Sequence, residues 1–367
     1  MKNLEKYLND SDRLLIEKLG ICEYLGELDT DDLKFDPSTV TYEVHAPTED
    51  NIFLHEAAVI EHKGILYASW YNCPKLELCG RTPIRGRRSA DGGVTWSEIE
   101  VIADDKSGKI LYCPPVYGIC GGRLYMFVNE MVAPDHIHAL DLFILNEETD
   151  RFELLWSRPI PHKLNTNVVK LPNGKLMLPG RLAELDGFPN TPSVLISDSG
   201  RIDAEWRIVK IAENGDLPNG KKFEHPEITP IIDGETIHMF SRNDHNHVTI
   251  AYTSHDCGET WSQASAIDLP FASSKIYSGT LSNGRNYIIA NLLPDRKRLA
   301  ILFTEPNSMK FTSGQLLQAG KSFGTYNGNQ WSYPCAYEYD GKLFVIYSAE
   351  SDNFERSRGA VMSVIKI

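Results

Sequence analysis

Six segments of the chain share one plan: an apolar stretch, a turn containing glycine, then a second apolar stretch. They read AAVIEHKGILYASWYN, PPVYGICGGRLYMFVNE, NVVKLPNGKLMLPGR, EITPIIDGETIHMFSR, YSGTLSNGRNYIIAN and CAYEYDGKLFVIYS. Their turn glycines, Gly64, Gly122, Gly174, Gly234, Gly284 and Gly341, recur every 50 to 60 residues. A lone hairpin cannot bury its apolar face, so units repeating at this period must pack on one another. Further β-branched and aromatic runs follow each hairpin, which makes about four strands per repeat. The spacing predicts an all-β fold over residues 41–367, a six-bladed β-propeller.

Residues 1–40 depart from this pattern. Ser11 can cap a short helix over Asp12–Leu19, and Gly20 can stop it, so a short N-terminal helical segment is expected as an appendage. The first twenty residues are charged throughout and lack an apolar h-region, which points to a cytoplasmic protein. No apolar run approaches the roughly 20 residues of a membrane span. The 367 residues carry a net charge of −13, which argues against nucleic-acid and anionic-membrane partners. The seven cysteines are scattered, with no CxxC pair, as expected of reduced thiols. No glycine-rich phosphate loop sits in a supporting context, so no cofactor is expected. The sequence sets no oligomeric state.

Two segments, Ser89–Trp96 and Ser254–Trp261, share the pattern S-x-D-x-G-x-T-W. The Ser and Asp side chains can satisfy the turn's own N–H groups, Gly takes the unusual backbone angle, and Trp packs between sheets. Ser197-Asp198-Ser199-Gly200 with Trp206 reads as a decayed third copy. On these motifs, in phase with the hairpin repeat, the chain resembles the sialidase superfamily of propellers with BNR (Asp-box) repeats. The resemblance covers about residues 45–367. It implies a glycan-cleaving enzyme, with the Asp-box turns a folding device remote from the chemistry.

Where a repeat places one residue per unit at the same level, side chains converge. Nine residues before each turn Gly stand His55, Cys113, Asn165, His225, Lys275 and Ser332, with Tyr333 next. Seven to nine residues after it stand Asn72, Asn129, Glu130, Arg181, Arg242, Asn291 and Glu350. An antiparallel second strand returns to the level where the first began, so the two sets form neighbouring polar rings at one channel mouth. Trp70, Tyr71 and Trp331 are either sugar-stacking rings or packing between sheets. The cluster Asn243–His247 reads as a polar loop at the mouth, and no metal site is expected.

The resemblance implies a Tyr nucleophile, a Glu partner, an Asp acid and three Arg that clamp a carboxylate. Tyr333 matches the nucleophile and Arg242 one clamp Arg; Arg296 or Arg298 would supply another. His225 stands where the Glu is expected, flanked by Glu224 and Glu227. His55 stands near the first clamp Arg, and CGRTPIRGRR offers no Asp acid. The expected function is therefore an exo-acting glycoside hydrolase on small acidic, uronate-type oligosaccharides, not a true sialidase. His55, His225, Tyr333, Glu224 and Glu227 are its candidate catalytic residues. Arg181, Arg242, Asn72, Glu130, Asn165, Lys275, Asn291, Arg296 and Glu350 are its candidate binding residues. The alternatives are a lyase on uronate glycosides using His, Tyr and Arg, and a non-catalytic carbohydrate-binding propeller.

Overall fold

All six turn glycines sit at hairpin turns with φ between +58° and +85°, a region open to glycine at little cost. The computed structural model describes residues 2–134, 136–183, 190–212, 217 and 221–367. Among the described residues strands dominate, and the two helices are confined to the first 19 residues.

The expectation of six separate blades is corrected by the hydrogen bonding, which groups the strands among the described residues into five sheets. Four are separate blades of four or five strands, spanning 111–158, 162–210, 228–267 and 277–319. The strands of the first and last repeats, expected as two further blades, are joined in one eight-stranded sheet. The join is a parallel pairing of Arg358 with Phe53, and the Arg358 N–H donates to Ile52 O at 2.8 Å. Val40–His45 pairs with Ala360–Val364 in the same sheet, so both ends of the repeat array are tied together. The periodicity counts hairpins correctly but cannot show that two of them share a ladder.

Aromatic rings fill the gaps between neighbouring sheets. Phe127 meets Trp206 edge to face, with centroids 5.5 Å apart. Burying such a ring contributes about 2–3 kcal/mol. Trp70, Tyr71 and Trp331 are fully buried, so they are packing residues and not sugar platforms.

The helix spans Asp10–Leu19, with Asn9 as N-cap in place of Ser11. Asn9 Oδ1 accepts from the Asp12 N–H at 3.0 Å, and Asp12 Oδ2 accepts from the Asn9 N–H at 2.9 Å. That reciprocal pair satisfies two donors at once, which Ser11 cannot do. Gly20 ends the helix at φ +69°. Asp12 is fully buried and also accepts from Asn246 Nδ2 at 3.0 Å and the His247 N–H at 3.1 Å. The helix is thus pinned to the loop that follows strand Thr236–Ser241. Beyond it, Ile21–Cys22 adds a parallel strand to Ser265–Ile267. Among the described residues, no helix is long and apolar enough to cross a membrane.

The two Ser/Asp turns repeat one bonding scheme. In each, the Ser Oγ accepts from the Gly N–H at 2.8 Å, and one Asp oxygen accepts from the Thr N–H at 2.9 Å. The other Asp oxygen takes the Thr hydroxyl at 2.6 Å. In the third segment Asp198 turns away to Arg207 and Lys175, so its turn is not closed in this way.

Candidate functional site

A cavity of about 360 Å³ opens at one end of the channel. Its walls come from His55, Glu56, Glu77, Leu78, Pro134, Lys163, Arg181, His225, Glu227, Arg242, Arg296 and Tyr333. Four permanent cations face three carboxylates among these described residues. A net positive cavity in a chain of charge −13 is a local reversal of sign, and it concentrates anions.

Backbone irregularity aims the side chains. The pairing of the first strand with the second slips between His55 and Ala58, between Tyr112 and Pro115, and between Ser332 and Cys335. Such bulges turn side chains out of the ladder. At two of them a non-glycine residue takes positive φ: Glu56 at +48° and Tyr333 at +60°. That conformation is disfavoured for a side-chain-bearing residue, and it persists here where both side chains enter the cavity.

Arg242 is the hub. Its Nη1 donates to Glu227 Oε2 and to Tyr333 Oη, both at 2.8 Å. Its Nε donates to Asp244 Oδ1 at 2.8 Å, and Nη2 lies 2.6 Å from the same oxygen. Arg242, Glu227 and Tyr333 are all at least nine-tenths buried. Burial works against charge on Glu227, but Arg242, Lys275 and Arg181 outweigh it and hold the carboxyl below its usual range. Burial pushes the Tyr333 phenol well up, so it is neutral in the resting site. Burial also opposes the charge on Arg242, yet Tyr333, Glu227 and Asp244 raise its value further.

His55 packs on Tyr333, ring centroids 4.1 Å apart. Ser348 Oγ lies 2.9 Å from His55 Nδ1, and Arg358 Nη1 lies 3.5 Å from it. Arg358 can only donate, so Nδ1 is the acceptor and the ring proton falls on Nε2. Burial, then Arg358 and Arg296, hold His55 well below its usual value, and the imidazole is neutral. Lys275 lies beneath, bonded to Glu56 Oε2 at 2.7 Å. Arg296 donates to Ser273 O and sits 5.6 Å from the Tyr333 ring centre.

The structure therefore brings His55, His225, Glu227, Arg181, Arg242, Arg296 and Tyr333 to one cavity, with Lys275 against its floor. It does not bring the rest. Asn129, Asn165 and Asn291 are buried stitches between neighbouring sheets: Asn129 Nδ2 donates to His162 O, Asn165 Oδ1 accepts from the Ile228 N–H, and Asn291 Nδ2 donates to Trp331 O. Asn72 donates to Phe53 O within its own hairpin. Glu350 is held by Asn327 and Asn329, and Glu130 lies outside the cavity wall. Glu224 is exposed beside His245. Of the loop Asn243–His247, Asp244 serves the site, while Asn246 and His247 dock the helix.

The carboxylates of Glu224 and Asp244 and the His225 ring bring donor atoms within 4.8 Å of one another. Asp244 Oδ1 already holds Arg242 and Ser273, and Oδ2 holds His225, so this set is poorly suited to a cation. Sequence reasoning missed Glu56, Glu77 and Arg358. Glu56 had a signal, an acid inside the apolar run Phe53–His62. Arg358 had none, because its strand carries no position tied to a turn glycine.

The sheets and the charged cavity between them define an all-β propeller. The family model for the BNR repeat-like domain matches residues 64–345, and the chain belongs to that family. No curated protein matches the sequence. Among solved structures, a Dyadobacter fermentans protein of unknown function aligns with TM-score 0.70 at 14% identity, over 90% of this chain and 100% of its own. Trypanosoma rangeli sialidase in complex with sialic acid aligns with TM-score 0.67 at 13% identity, over 90% of this chain and 59% of its own. The leech intramolecular trans-sialidase aligns with TM-score 0.68 at 13% identity, over 89% and 70%. This chain spans about three fifths of the trypanosomal structures. At these identities the likeness concerns the fold.

Proposed function

We propose that the protein is a glycan-acting enzyme, a glycoside hydrolase that removes an acidic, uronate-type sugar from the end of a small oligosaccharide. The observation that carries this reading is the Tyr333–Arg242–Glu227 contact inside a cation-rich cavity. Tyr333 is a phenol that needs a base to become a nucleophile. Glu227 is ionised and shares one guanidinium nitrogen with it. As Tyr333 Oη attacks the anomeric carbon, its proton passes to Glu227, and Arg242 holds both oxygens throughout. The solved relatives named sialidases support a glycan substrate on the same fold.

Two features favour an acidic sugar other than sialic acid. His55 stands near the place of the first clamp Arg, and the Arg242 fork is engaged by Glu227, Tyr333 and Asp244. Arg296 is then the half-buried guanidinium offered to the substrate carboxylate. Reading Glu227, and not His225, as the partner of Tyr333 brings the nucleophile half of the site closer to the superfamily pattern.

A second reading, β-elimination from a uronate glycoside, draws on the neutral His55 ring against Tyr333. One panel separates the readings: 4-methylumbelliferyl and methyl glycosides of glucuronic, galacturonic and N-acetylneuraminic acids, followed by released aglycone and by ultraviolet absorbance. The proposal expects aglycone from a uronide with no unsaturated product. Absorbance rising with cleavage supports elimination, and no turnover of any compound leaves only a binding role.

A further inference from the structure

The nucleophile and its partner lie on the cavity floor, and half of a hydrolase is still missing: a group that protonates the departing oxygen. An exo-acting site buries the terminal sugar and leaves the aglycone at the opening. The proton donor must therefore stand at the rim, partly in water, with a fixed direction.

His225 meets these conditions. Its side chain is 44% exposed, while Asp244 beside it is 9% exposed. Asp244 Oδ2 lies 3.2 Å from His225 Nδ1 and accepts from the His225 backbone N–H at 3.0 Å. Asp244 is itself fixed through Oδ1 by Arg242 and by Ser273 Oγ at 2.6 Å. Two bonds to one oxygen lock the ring, put a proton on Nδ1 and leave Nε2 as the exchanging nitrogen. Nε2 has no partner among the described residues. The same Asp244 is bonded to Arg242, which is bonded to Tyr333, so one chain of contacts joins the rim to the nucleophile.

We infer that the His225–Asp244 pair is the general acid and base of this site, protonating the leaving oxygen from His225 Nε2. This deepens the hydrolase reading and rests on it. In the first step the Tyr333 Oη–C1 bond forms and the C1–O bond to the aglycone breaks. The Tyr333 proton goes to Glu227, and the Nε2 proton of the imidazolium goes to the aglycone oxygen. In the second, water adds to C1 and gives its proton to Nε2. The Tyr333–C1 bond breaks, and Glu227 returns its proton to the phenol. Asp244, Glu224 and, behind Asp244, Arg242 stand around His225, and Glu227, Arg181 and Lys163 share its cavity wall. Glu77 is the rival at the rim, exposed and taking the Tyr71 hydroxyl at 3.0 Å.

A general acid matters most when the leaving group is poor. His225→Gln should lower kcat/KM about 100-fold or more for the methyl glycoside and only a few-fold for the 4-methylumbelliferyl glycoside of the same acid. Glu77→Gln should affect both alike. Equal losses with both leaving groups in His225→Gln, or the differential appearing in Glu77→Gln instead, overturn the assignment while the hydrolase reading stands. No turnover of any glycoside by the wild type overturns both. A readout free of turnover is the ¹⁵N shift of the His225 ring: Nδ1 should stay protonated in the neutral form. A neutral ring protonated at Nε2 contradicts the pair.

Discussion

The channel ends in two cavities, and they differ in kind. The first strands of the hairpins run from one to the other: His55 to Ile60, Glu227 to Ile232, Tyr333 to Glu338. The cavity at the far end is the larger, about 540 Å³ against 360 Å³. Its wall is mainly tyrosine and aliphatic, with Tyr117, Tyr277, Tyr287 and Tyr337, and its charged groups are one cation and one carboxylate, Lys170 and Glu338. Its buried polar groups are spent within the protein: Asn167 Oδ1 takes the Tyr117 N–H at 2.8 Å, and Ser278 Oγ donates to Pro230 O at 2.9 Å. The near cavity instead collects ionised groups and two residues at positive φ. Volume therefore does not mark the site; uncommon backbone and convergent charge do.

The largest effect that could break this contrast is at Tyr333. Tyr333→Phe should cost about a thousandfold in kcat with KM nearly unchanged, because it deletes only the reacting oxygen. Tyr277→Phe, at the far cavity, should stay within about twofold. Comparable losses in the two variants would erase the distinction.

Arg242→Lys comes next. An ammonium cannot hold Glu227, Tyr333 and Asp244 in one plane, so kcat/KM should fall about 100-fold. A variant that keeps wild-type activity would remove the hub.

Smaller effects sharpen the contrast between chemistry and scaffold. Asp91→Ala opens a turn that serves folding, so it should lower the thermal midpoint by a few degrees while turnover per folded molecule holds. Lost turnover at an unchanged midpoint would move that turn into the site.

The smallest concerns Asp12. Burial raises its carboxyl, but bonds from Asn9, His247 and Asn246 outweigh that and hold it below its usual value. A lowered folded value means that its stabilisation is complete above the unfolded value of about 3.9 and is lost as pH falls through the folded one. Asp12→Asn should therefore flatten the acid-side fall in stability measured by urea unfolding between about pH 5 and 3. An unchanged slope would detach the helix from the loop that carries Asp244.

Most of the strand framework was legible because turn glycines and period-two apolar runs are local signals. The joining of Phe53 to Arg358 was not, since that ladder spans the whole chain. At the site, counting from the turn glycines found His55, His225, Arg242 and Tyr333 because the repeat brings the start of each first strand and the end of each second strand to one level. The same count also returned Asn129, Asn165 and Asn291, which need that level to stitch sheets together. A position in a repeat gives height along the channel; it does not say whether the side chain faces ligand or neighbouring backbone. Glu56 and Glu77 escaped because a bulge and a loop, not the repeat, deliver them.

The most direct test of the central claim, that the charged cavity holds an acidic sugar, is calorimetric titration with galacturonic and glucuronic acids and with neutral galactose and glucose. The account predicts binding of the acids over the neutral sugars, lost in Arg296→Gln and kept in Tyr277→Phe. Equal binding of acid and neutral sugars, or binding kept in Arg296→Gln and lost in Tyr277→Phe, would contradict it.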